Sequence, residues 1–257
     1  MQSDGVSPDR HIHIGCSGWV YRHWKGGFYP EGLPQKRWFD HYSAQFDTVE
    51  INASFYRLPL ASTFIGWKEK APPGFRYAVK ANRFLTHLKK LVGCEQQVDE
   101  FIELARGLGD ALGPILYQLP PSLRKDLSRL ESFLRRLPAD LEHVVEFRHA
   151  DWYDEDVLAL LDGYGAGFVT HDLTGLISPR WVSGRTAYVR FHGTGGKYWG
   201  RYSEDQMADW ADWLIDQRSA GRTCWAYFNN DIHLHAIEDA RTLIREVGGR
   251  VPARLQS

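Results

Sequence analysis

The run TAYVRFH at Thr186–His192 holds the pattern that decides the fold of this chain. Val189 and Phe191 are apolar, and they alternate with the polar residues Arg190 and His192. Successive side chains of a β-strand point to opposite faces, so the run predicts a strand with one apolar and one polar face. The apolar face needs a layer of helices to cover it. The polar face has to meet other polar side chains around a common axis.

Seven further runs of this kind are spread along the chain. Each is separated from the next by a connection long enough to hold a helix. The runs are His11–Cys16, Thr48–Asn52, Phe75–Lys80, Pro114–Leu119, His143–Arg148, Gly167–His171 and Thr223–Phe228. Connections of this length join parallel strands, and eight such strands predict an α/β fold, a single (β/α)8 TIM-type barrel.

Most of the connections carry apolar residues at helical spacing, but the connection Asp172–Gly184 shows no clear helix. An open doubly wound sheet is the alternative architecture. That fold favours a G-x-G-x-x-G turn after its first strand, and the sequence GCSG at Gly15–Gly18 does not have this form. The barrel is therefore the preferred interpretation, with residues 1–11 as a flexible N-terminal tail and residues 12–250 as one barrel domain.

The bulk properties of the 257 residues narrow the class of protein further. The net charge of −1 gives no global attraction to nucleic acid or to an acidic membrane. The three cysteines form no C-x-x-C pair, so a disulfide framework or a zinc ribbon is not expected. Cys16 and Cys224 lie in apolar runs and are expected to be buried. The N-terminus lacks the apolar segment of a signal peptide, and no apolar run approaches the ~20 residues of a membrane span. We expect a cytoplasmic protein with no membrane partner.

The polar positions of the runs fall at their C-terminal ends, where barrel enzymes place their active sites. Three of these residues are candidate catalytic groups for acid–base chemistry: Glu50, Glu146 and His192. A second set is expected to bind an anionic substrate: Lys80, Asn82, Arg148, Arg190, Tyr227, Asn229, Asn52, Gln118 and Trp19. The alternative for any one of them is a structural role, for example an ion pair between Glu146 and Arg190.

Metal binding is a weaker interpretation of the same strand ends. His171 and Asp172, with His192, Glu50 and Glu146, offer nitrogen and oxygen ligands of the kind that zinc or manganese uses. No metal-binding spacing supports such a site, and the neighbouring cations would oppose one. The cofactor is unknown at this stage, and a divalent metal is an alternative that the pattern does not favour.

Six segments, in this order along the chain, resemble the YecE-like family, which is also called domain of unknown function 72. They are IGCSGWVYRHWKGGFYP (14–30), FDTVEINASFYRLP (46–59), FRYAVKANRFLTH (75–87), EFRHADW (146–152), YVRFHG (188–193) and AYFNND (226–231). The resemblance covers nearly the whole chain and implies a TIM-type barrel, with no established reaction. The fold is similar to that of endonuclease IV and the sugar isomerases, which are divalent-metal barrels, and this analogy concerns the fold alone.

Three functions remain open from the sequence. The first is an enzyme, of the hydrolase class, that acts on a phosphate-bearing substrate such as a nucleic acid or nucleotide phosphodiester. The second is a metal-dependent isomerase or epimerase of a sugar. The third is a non-enzymatic barrel that binds a nucleic acid or another ligand. The cluster of cations beside carboxylates favours the first, with a small anionic substrate as the partner.

Overall fold

The computed structural model describes residues 12–196 and 198–250, so the expected tail at 1–11 lies outside the described residues. Nine strands are present, and eight of them form the barrel. The strands are β1 (Ile12–Cys16), β2 (Thr48–Ile51), β3 (Arg76–Lys80), β4 (Leu112–Gln118), β5 (His143–Glu146), β6 (Gly167–Leu173), β7 (Leu176–Ile177), β8 (Thr186–Phe191) and β9 (Thr223–Phe228). All eight predicted runs are confirmed as strands, with ends that differ by one or two residues.

The pairing of the strands closes the sheet on itself. The order is β5-β4-β3-β2-β1-β9-β8-β6, and a further pairing of β5 with β6 joins the two ends. Every pairing between barrel strands is parallel. The predicted TIM-type barrel is therefore confirmed.

Helices of the outer layer run between the strands and cover the apolar strand faces. They are α1 (Trp38–Ser43), α2 (Ala53–Tyr56), α3 (Ala61–Lys70), α4 (Glu95–Arg106), α5 (Leu127–Leu134), α6 (Glu155–Gly163), α7 (Glu204–Ser219) and α8 (His235–Arg250). Local sequence fixes several of their starts. The side chain of Asp126 accepts from the backbone N–H of Arg129 at the start of α5, and Ser203 and Gln206 form a capping box at the start of α7.

The connection that shows no helical pattern, 172–184, indeed has no helix. Strand β7 turns back at Gly175 and pairs antiparallel with the end of β6. The Ser178 hydroxyl donates to the carbonyl oxygen of His171 and accepts from its backbone N–H. A short hairpin thus replaces the helix that would normally cover this side of the barrel.

The interior of the barrel has two layers. The lower layer is apolar and aromatic, and its members are fully or almost fully buried: Ala78, Leu116, Val144, Val169, Tyr188, Trp225 and Tyr227. Two residues further along five of these strands lie the polar side chains Lys80, Gln118, Glu146, His171 and Arg190. The period-2 alternation of the strands therefore places a charged layer directly above an apolar floor.

Two further expectations concern the described residues. Cys16 and Cys224 are buried, as predicted, and Cys94 is buried as well; none of the three forms a disulfide. Over 12–196 and 198–250, no helix has the length and apolar character needed to cross a membrane.

Candidate active site at the mouth of the barrel

We call the opening at the C-terminal ends of the barrel strands the mouth. Below it, one arginine joins two carboxylates. Arg190 donates from Nε to Glu50 Oε2 at 2.9 Å, from Nη2 to Glu50 Oε1 at 2.7 Å and from Nη1 to Glu146 Oε2 at 2.6 Å. All three side chains are at most 1% exposed. Strands β2, β5 and β8, which are far apart in sequence, thus meet at one point, as the alternation predicts.

Glu50 has no unused acceptor position facing the mouth. Besides the two bonds from Arg190, it accepts from the Tyr188 hydroxyl at 2.7 Å and from the Ser17 hydroxyl at 2.8 Å. Burial alone would raise the pKa of Glu50, but the charge of Arg190 and these hydrogen bonds outweigh it and hold the pKa below its usual value. Glu50 is therefore an ionised anchor for Arg190.

Arg148 lies above Glu146 and forms the second ion pair of the site, with Glu146 Oε1. Burial alone would raise the pKa of Glu146, but Arg148 and Arg190 outweigh it and hold that pKa well below its ordinary value. The Nε atom of Arg148 is buried and has no hydrogen-bond acceptor among the described residues. Arg148 therefore keeps a donor that its protein neighbours do not use.

His192 is held in one tautomer by the two arginines. Its Nε2 lies 2.7 Å from Nη2 of Arg148, and because a guanidinium only donates, Nε2 must accept. Its proton is then on Nδ1, which faces the carbonyl oxygen of Arg190 at 3.3 Å. Burial and the charge of Arg148 keep the pKa of His192 well below its usual range, so the ring is neutral.

Lys80 lies at the end of β3 and is 8% exposed. Its Nζ donates to Gln118 Oε1 at 2.6 Å and lies 4.2 Å from the centre of the Phe55 ring. Among the described residues it forms no ion pair with a carboxylate. Burial lowers the pKa of Lys80 to about 7, and the charge of Arg190 acts in the same direction.

Three more of the predicted binding residues are asparagines that follow the ends of β2, β3 and β9. Asn52 donates to the Ser17 carbonyl at 3.3 Å, and its buried Oδ1 has no donor within the described ranges. Asn82 is tied to the backbone of Ser54 and Phe84. Asn229 is partly exposed at the end of β9.

Two predicted binding residues lie away from the charged layer. Tyr227 belongs to the apolar floor, where its hydroxyl lies 2.6 Å from that of Thr48. Trp19 packs edge-on against Phe39 and Trp67, which belong to the helical layer. The structure therefore does not bring Tyr227 and Trp19 together with the cations at the mouth.

Sequence reasoning missed several side chains that build the site. Ser17 and Tyr188 hold Glu50, and the inward phase of their strands is the signal that could have identified them. His87 packs against Phe55 with ring centres 5.0 Å apart. Burial and the charge of Lys80 lower the pKa of His87 to about 4. No strand pattern marks His87, since it lies in the short helical segment Phe84–Leu88 after β3.

A divalent metal does not fit the donor set of the mouth. Nowhere in 12–196 or 198–250 do three or more His, Cys, Asp or Glu side chains form a group that could hold a metal ion. Both oxygens of Glu50 and one of Glu146 accept hydrogen bonds from arginine, and the other Glu146 oxygen contacts Arg148. We therefore derive no chemistry through a metal at these residues.

Comparison with known proteins gives a family and a fold. The sequence model of a family described as a protein of unknown function, DUF72, matches residues 13–256. The chain is 24% identical to the UPF0759 protein YunF of Bacillus subtilis over an alignment of 281 positions, which covers 95% of this chain and 99% of YunF. It is 28% identical to the UPF0759 protein YecE of Escherichia coli K12 over 143 residues, which cover 55% of this chain and 50% of YecE.

Solved structures share the barrel. A DUF72 family protein from Thermotoga maritima, TM1631, superposes with a TM-score of 0.83 at 26% identity, covering 93% of this chain and 100% of that one. A DUF72 family protein from Enterococcus faecalis, EF0366, gives a TM-score of 0.80 at 17% identity, covering 92% of this chain and 95% of that one. At 17% identity, the second likeness concerns the fold alone.

Proposed function

The chain belongs to the DUF72 family of proteins of unknown function, and from that premise we propose that it is an enzyme acting on a phosphate-bearing substrate at the mouth of the barrel. In this proposal Lys80 and Arg148 bind the anionic group. Glu50, Glu146 and Arg190 hold these cations in place from below. A nucleotide or nucleic-acid phosphodiester, cleaved by hydrolysis, is the specific substrate that we test first.

The observation that carries the proposal is an excess of positive charge in a buried place. We call Glu50, Lys80, Glu146, Arg148 and Arg190 the mouth cluster; it holds three cationic side chains and two carboxylates. The two arginines form ion pairs with the two carboxylates, whereas Lys80 has only a neutral amide and an aromatic ring as close partners. Its pKa of about 7 leaves the amine partly protonated at neutral pH, and a bound anion would favour the protonated form. A buried charge without a counter-ion is costly, so an anion bound beside Lys80 would stabilise the cluster.

Arg148 contributes a second reason for an anion. Its buried Nε has no acceptor within the described ranges, and a guanidinium fork matches phosphate or carboxylate oxygens. Lys80 and Arg148 are each 8% exposed, so both reach the solvent side of the cluster. Asp172, at the end of β6, has partners of its own, because it accepts from the backbone N–H of His192 and from the Tyr202 hydroxyl.

The sequence suggests acid–base roles for Glu50, Glu146 and His192, and this proposal gives them a positioning role instead. Arginine donors bond both oxygens of Glu50, Oε2 of Glu146 and Nε2 of His192, and Glu146 Oε1 forms an ion pair with Arg148. We therefore assign these three residues to positioning the cations. A metal-dependent isomerase would need a set of metal ligands, which these residues do not provide. A barrel that only binds its ligand would differ from the proposed enzyme in showing no turnover.

The proposal is tested by titrating inorganic phosphate into the wild-type protein and into Arg148→Ala by isothermal calorimetry. Loss of a charge-assisted hydrogen bond of about 1.5–3 kcal/mol should weaken binding by roughly tenfold or more. Arg124→Ala is the matched control, because the Arg124 side chain is 79% exposed. Arg148→Lys, which keeps the charge and loses the fork, should bind with intermediate affinity.

Equal phosphate affinity in wild type and folded Arg148→Ala, judged by circular dichroism, would overturn the proposal. Incubation with a short labelled oligonucleotide then separates the substrates. Cleavage that is lost in Arg148→Ala supports a phosphodiester hydrolase, whereas binding without cleavage removes the phosphodiester version and leaves a smaller phosphate compound.

A further inference from the structure

We propose that the Lys80 side chain is a nucleophilic amine that condenses with an aldehyde or ketone group of the substrate to form an imine. The substrate class is then a small carbonyl compound that also carries a phosphate or carboxylate. That the substrate carries an anionic group rests on the proposed function. That it carries a carbonyl group rests on Lys80 itself.

The surroundings of Lys80 are those of a reactive amine. A lysine that serves as a structural cation is normally paired with a carboxylate, whereas Lys80 is bonded to the neutral Gln118 and lies against the Phe55 ring. Its amine is largely withdrawn from water, with 8% of the residue exposed. Removal from water and the presence of a neighbouring cation are the two means by which proteins activate lysine amines.

Two acids lie deeper in the cluster, and they do not cancel the activation of the Lys80 amine. Glu50 and Glu146 would favour the protonated form of Lys80, but both are already engaged by Arg190, and Glu146 is also paired with Arg148. His87, on the other side, is neutral because its pKa is lowered to about 4 by burial and by Lys80. With the pKa of Lys80 at about 7, about half of the amines are neutral at pH 7, against on the order of one in a thousand for an ordinary lysine.

The position of Lys80 also suits the attack. It lies at the C-terminal end of a barrel strand, where the substrates of this fold bind. The Gln118 oxygen accepts one N–H of the amine and limits its rotation. Arg148, two residues beyond the end of β5, is paired with Glu146 of the same cluster and would hold the anionic group while the carbonyl carbon meets Nζ.

The step balances without any oxidant or reductant. The lone pair of Nζ adds to the carbonyl carbon, and the nitrogen passes its two protons in turn through solvent to the former carbonyl oxygen. That oxygen then leaves as water when the C=N bond forms. The sum is one amine and one carbonyl compound giving one imine and one water.

Pyridoxal 5′-phosphate is a suitable probe because it carries an aldehyde and a phosphate in one small molecule. The wild-type protein is incubated with it and treated with borohydride, which delivers hydride to the imine carbon and fixes the adduct. Peptide mapping by mass spectrometry then locates the label. We expect Lys80 to be labelled about tenfold faster than the exposed Lys36, and the rate to rise with a midpoint near pH 7.

The variants separate the charge of Lys80 from its amine. Lys80→Arg keeps a cation and should lose the label at this position, while Lys36→Arg should leave labelling of Lys80 unchanged. Labelling of Lys80 no faster than that of Lys36 would overturn the inference, whether or not the arginine variant folds, since that comparison is made within the wild-type protein.

A competition arm distinguishes this inference from the proposed function. If inorganic phosphate binds but Lys80 is not labelled preferentially, the imine proposal fails and the anion site stands. If Lys80 reacts equally fast with pyridoxal, which lacks the phosphate, and phosphate gives no protection, the anion site fails and the reactive amine stands.

Discussion

Glu50 is a carboxylate below the mouth, fully buried and surrounded by four hydrogen-bond donors from three side chains. The arrangement is cooperative in a simple sense: Glu50 fixes Arg190, Arg190 fixes Glu146, and Glu146 fixes Arg148. A residue that never touches substrate can therefore control where the binding guanidinium lies. Glu50 therefore acts as a counter-ion of Arg190, because its hydrogen-bond donors leave no free lone pair that faces the mouth.

We predict that Glu50→Gln lowers the free energy of unfolding by about 3–5 kcal/mol, because it removes one partner of a buried ion pair and leaves the other charge uncompensated. Urea denaturation followed by circular dichroism measures this. Tyr188→Phe is the comparison, since it removes a single hydrogen bond to the same carboxylate and should cost about 1.5–3 kcal/mol. A loss below 1 kcal/mol in Glu50→Gln would show that the pair contributes little.

The sequence predicted much of this site at the level of single residues, because the alternation of strand side chains is strict. Lys80, Glu146 and Arg190 share one inward phase and do meet. Trp19 escaped the same reasoning because it follows Gly18, whose φ of 107° ends the regular alternation of β1. The neutral partner of Lys80 could not be predicted either, since the choice among Gln118 and the nearby acids depends on distances in space.

At the scale of elements, β1 and β2 are held together by a side chain from a helix. They share one paired position, Cys16 with Val49, whereas β1 and β9 share five. Tyr42 of α1 inserts its hydroxyl between them, accepting from the Cys16 N–H at 2.8 Å and donating to the Thr48 carbonyl oxygen at 2.9 Å. The helix thus supplies two of the bonds that a regular ladder would have made.

We expect Tyr42→Phe to destabilise the protein by about 2–4 kcal/mol, because it leaves a buried N–H and a buried C=O without partners at about 1–3 kcal/mol each. Thermal and urea unfolding would measure the loss. Tyr164→Phe, at a residue that is 37% exposed, removes a surface hydroxyl bonded to Glu131 and should change stability by less than about 0.5 kcal/mol. Equal effects of the two substitutions would refute the bridging role of Tyr42.

The strands were easier to predict than the connections. Each strand is marked by its own period-2 pattern, so its ends were predicted to within one or two residues. The hairpin that follows β6 was predicted only as the absence of a helix, because Leu176 and Ile177 are too short a run to show a period. Its pairing with β6 depends on the turn at Gly175, whose φ of 85° suits glycine.

At the scale of the whole molecule, four histidines in different parts of the barrel are kept neutral. Burial lowers the pKa of His143 and His171 to about 4, burial and Lys80 do the same for His87, and burial and Arg148 hold that of His192 well below its usual value. The unfolded chain binds protons at these rings near pH 6.5, whereas the folded chain does not. Since the unfolded state takes up more protons, acid favours unfolding in this window.

We predict that the free energy of unfolding falls as the pH is lowered from 6.5 toward 4, by up to about 1.4 kcal/mol per pH unit for each such histidine. Denaturant unfolding at a series of pH values measures the slope. His143→Gln should reduce the slope by the contribution of one histidine, and it leaves the mouth intact because His143 lies outside it. His23→Gln, at a side chain that is 45% exposed, is the control. Buried Asp239 and half-buried Asp172 and Asp231, whose pKa values desolvation raises, oppose the trend.

The barrel fold was predictable because eight independent patterns agreed, and the closed parallel sheet and the likeness to TM1631 bear it out. The chemistry was less predictable. The sequence shows which polar residues face inward, but it does not show which cation lacks a carboxylate. That difference arises only when the strand positions are fixed in three dimensions.

The apolar floor fills the interior of the barrel below the mouth cluster. Trp225, Tyr227 and Tyr188 close its base, and each is at most 2% exposed. Within the described residues this base blocks the barrel interior below Lys80, so a ligand of the kind proposed would enter and leave through the mouth. Under the same proposal, a long polymer would have to present a terminus, a loop or an unstacked unit at the mouth.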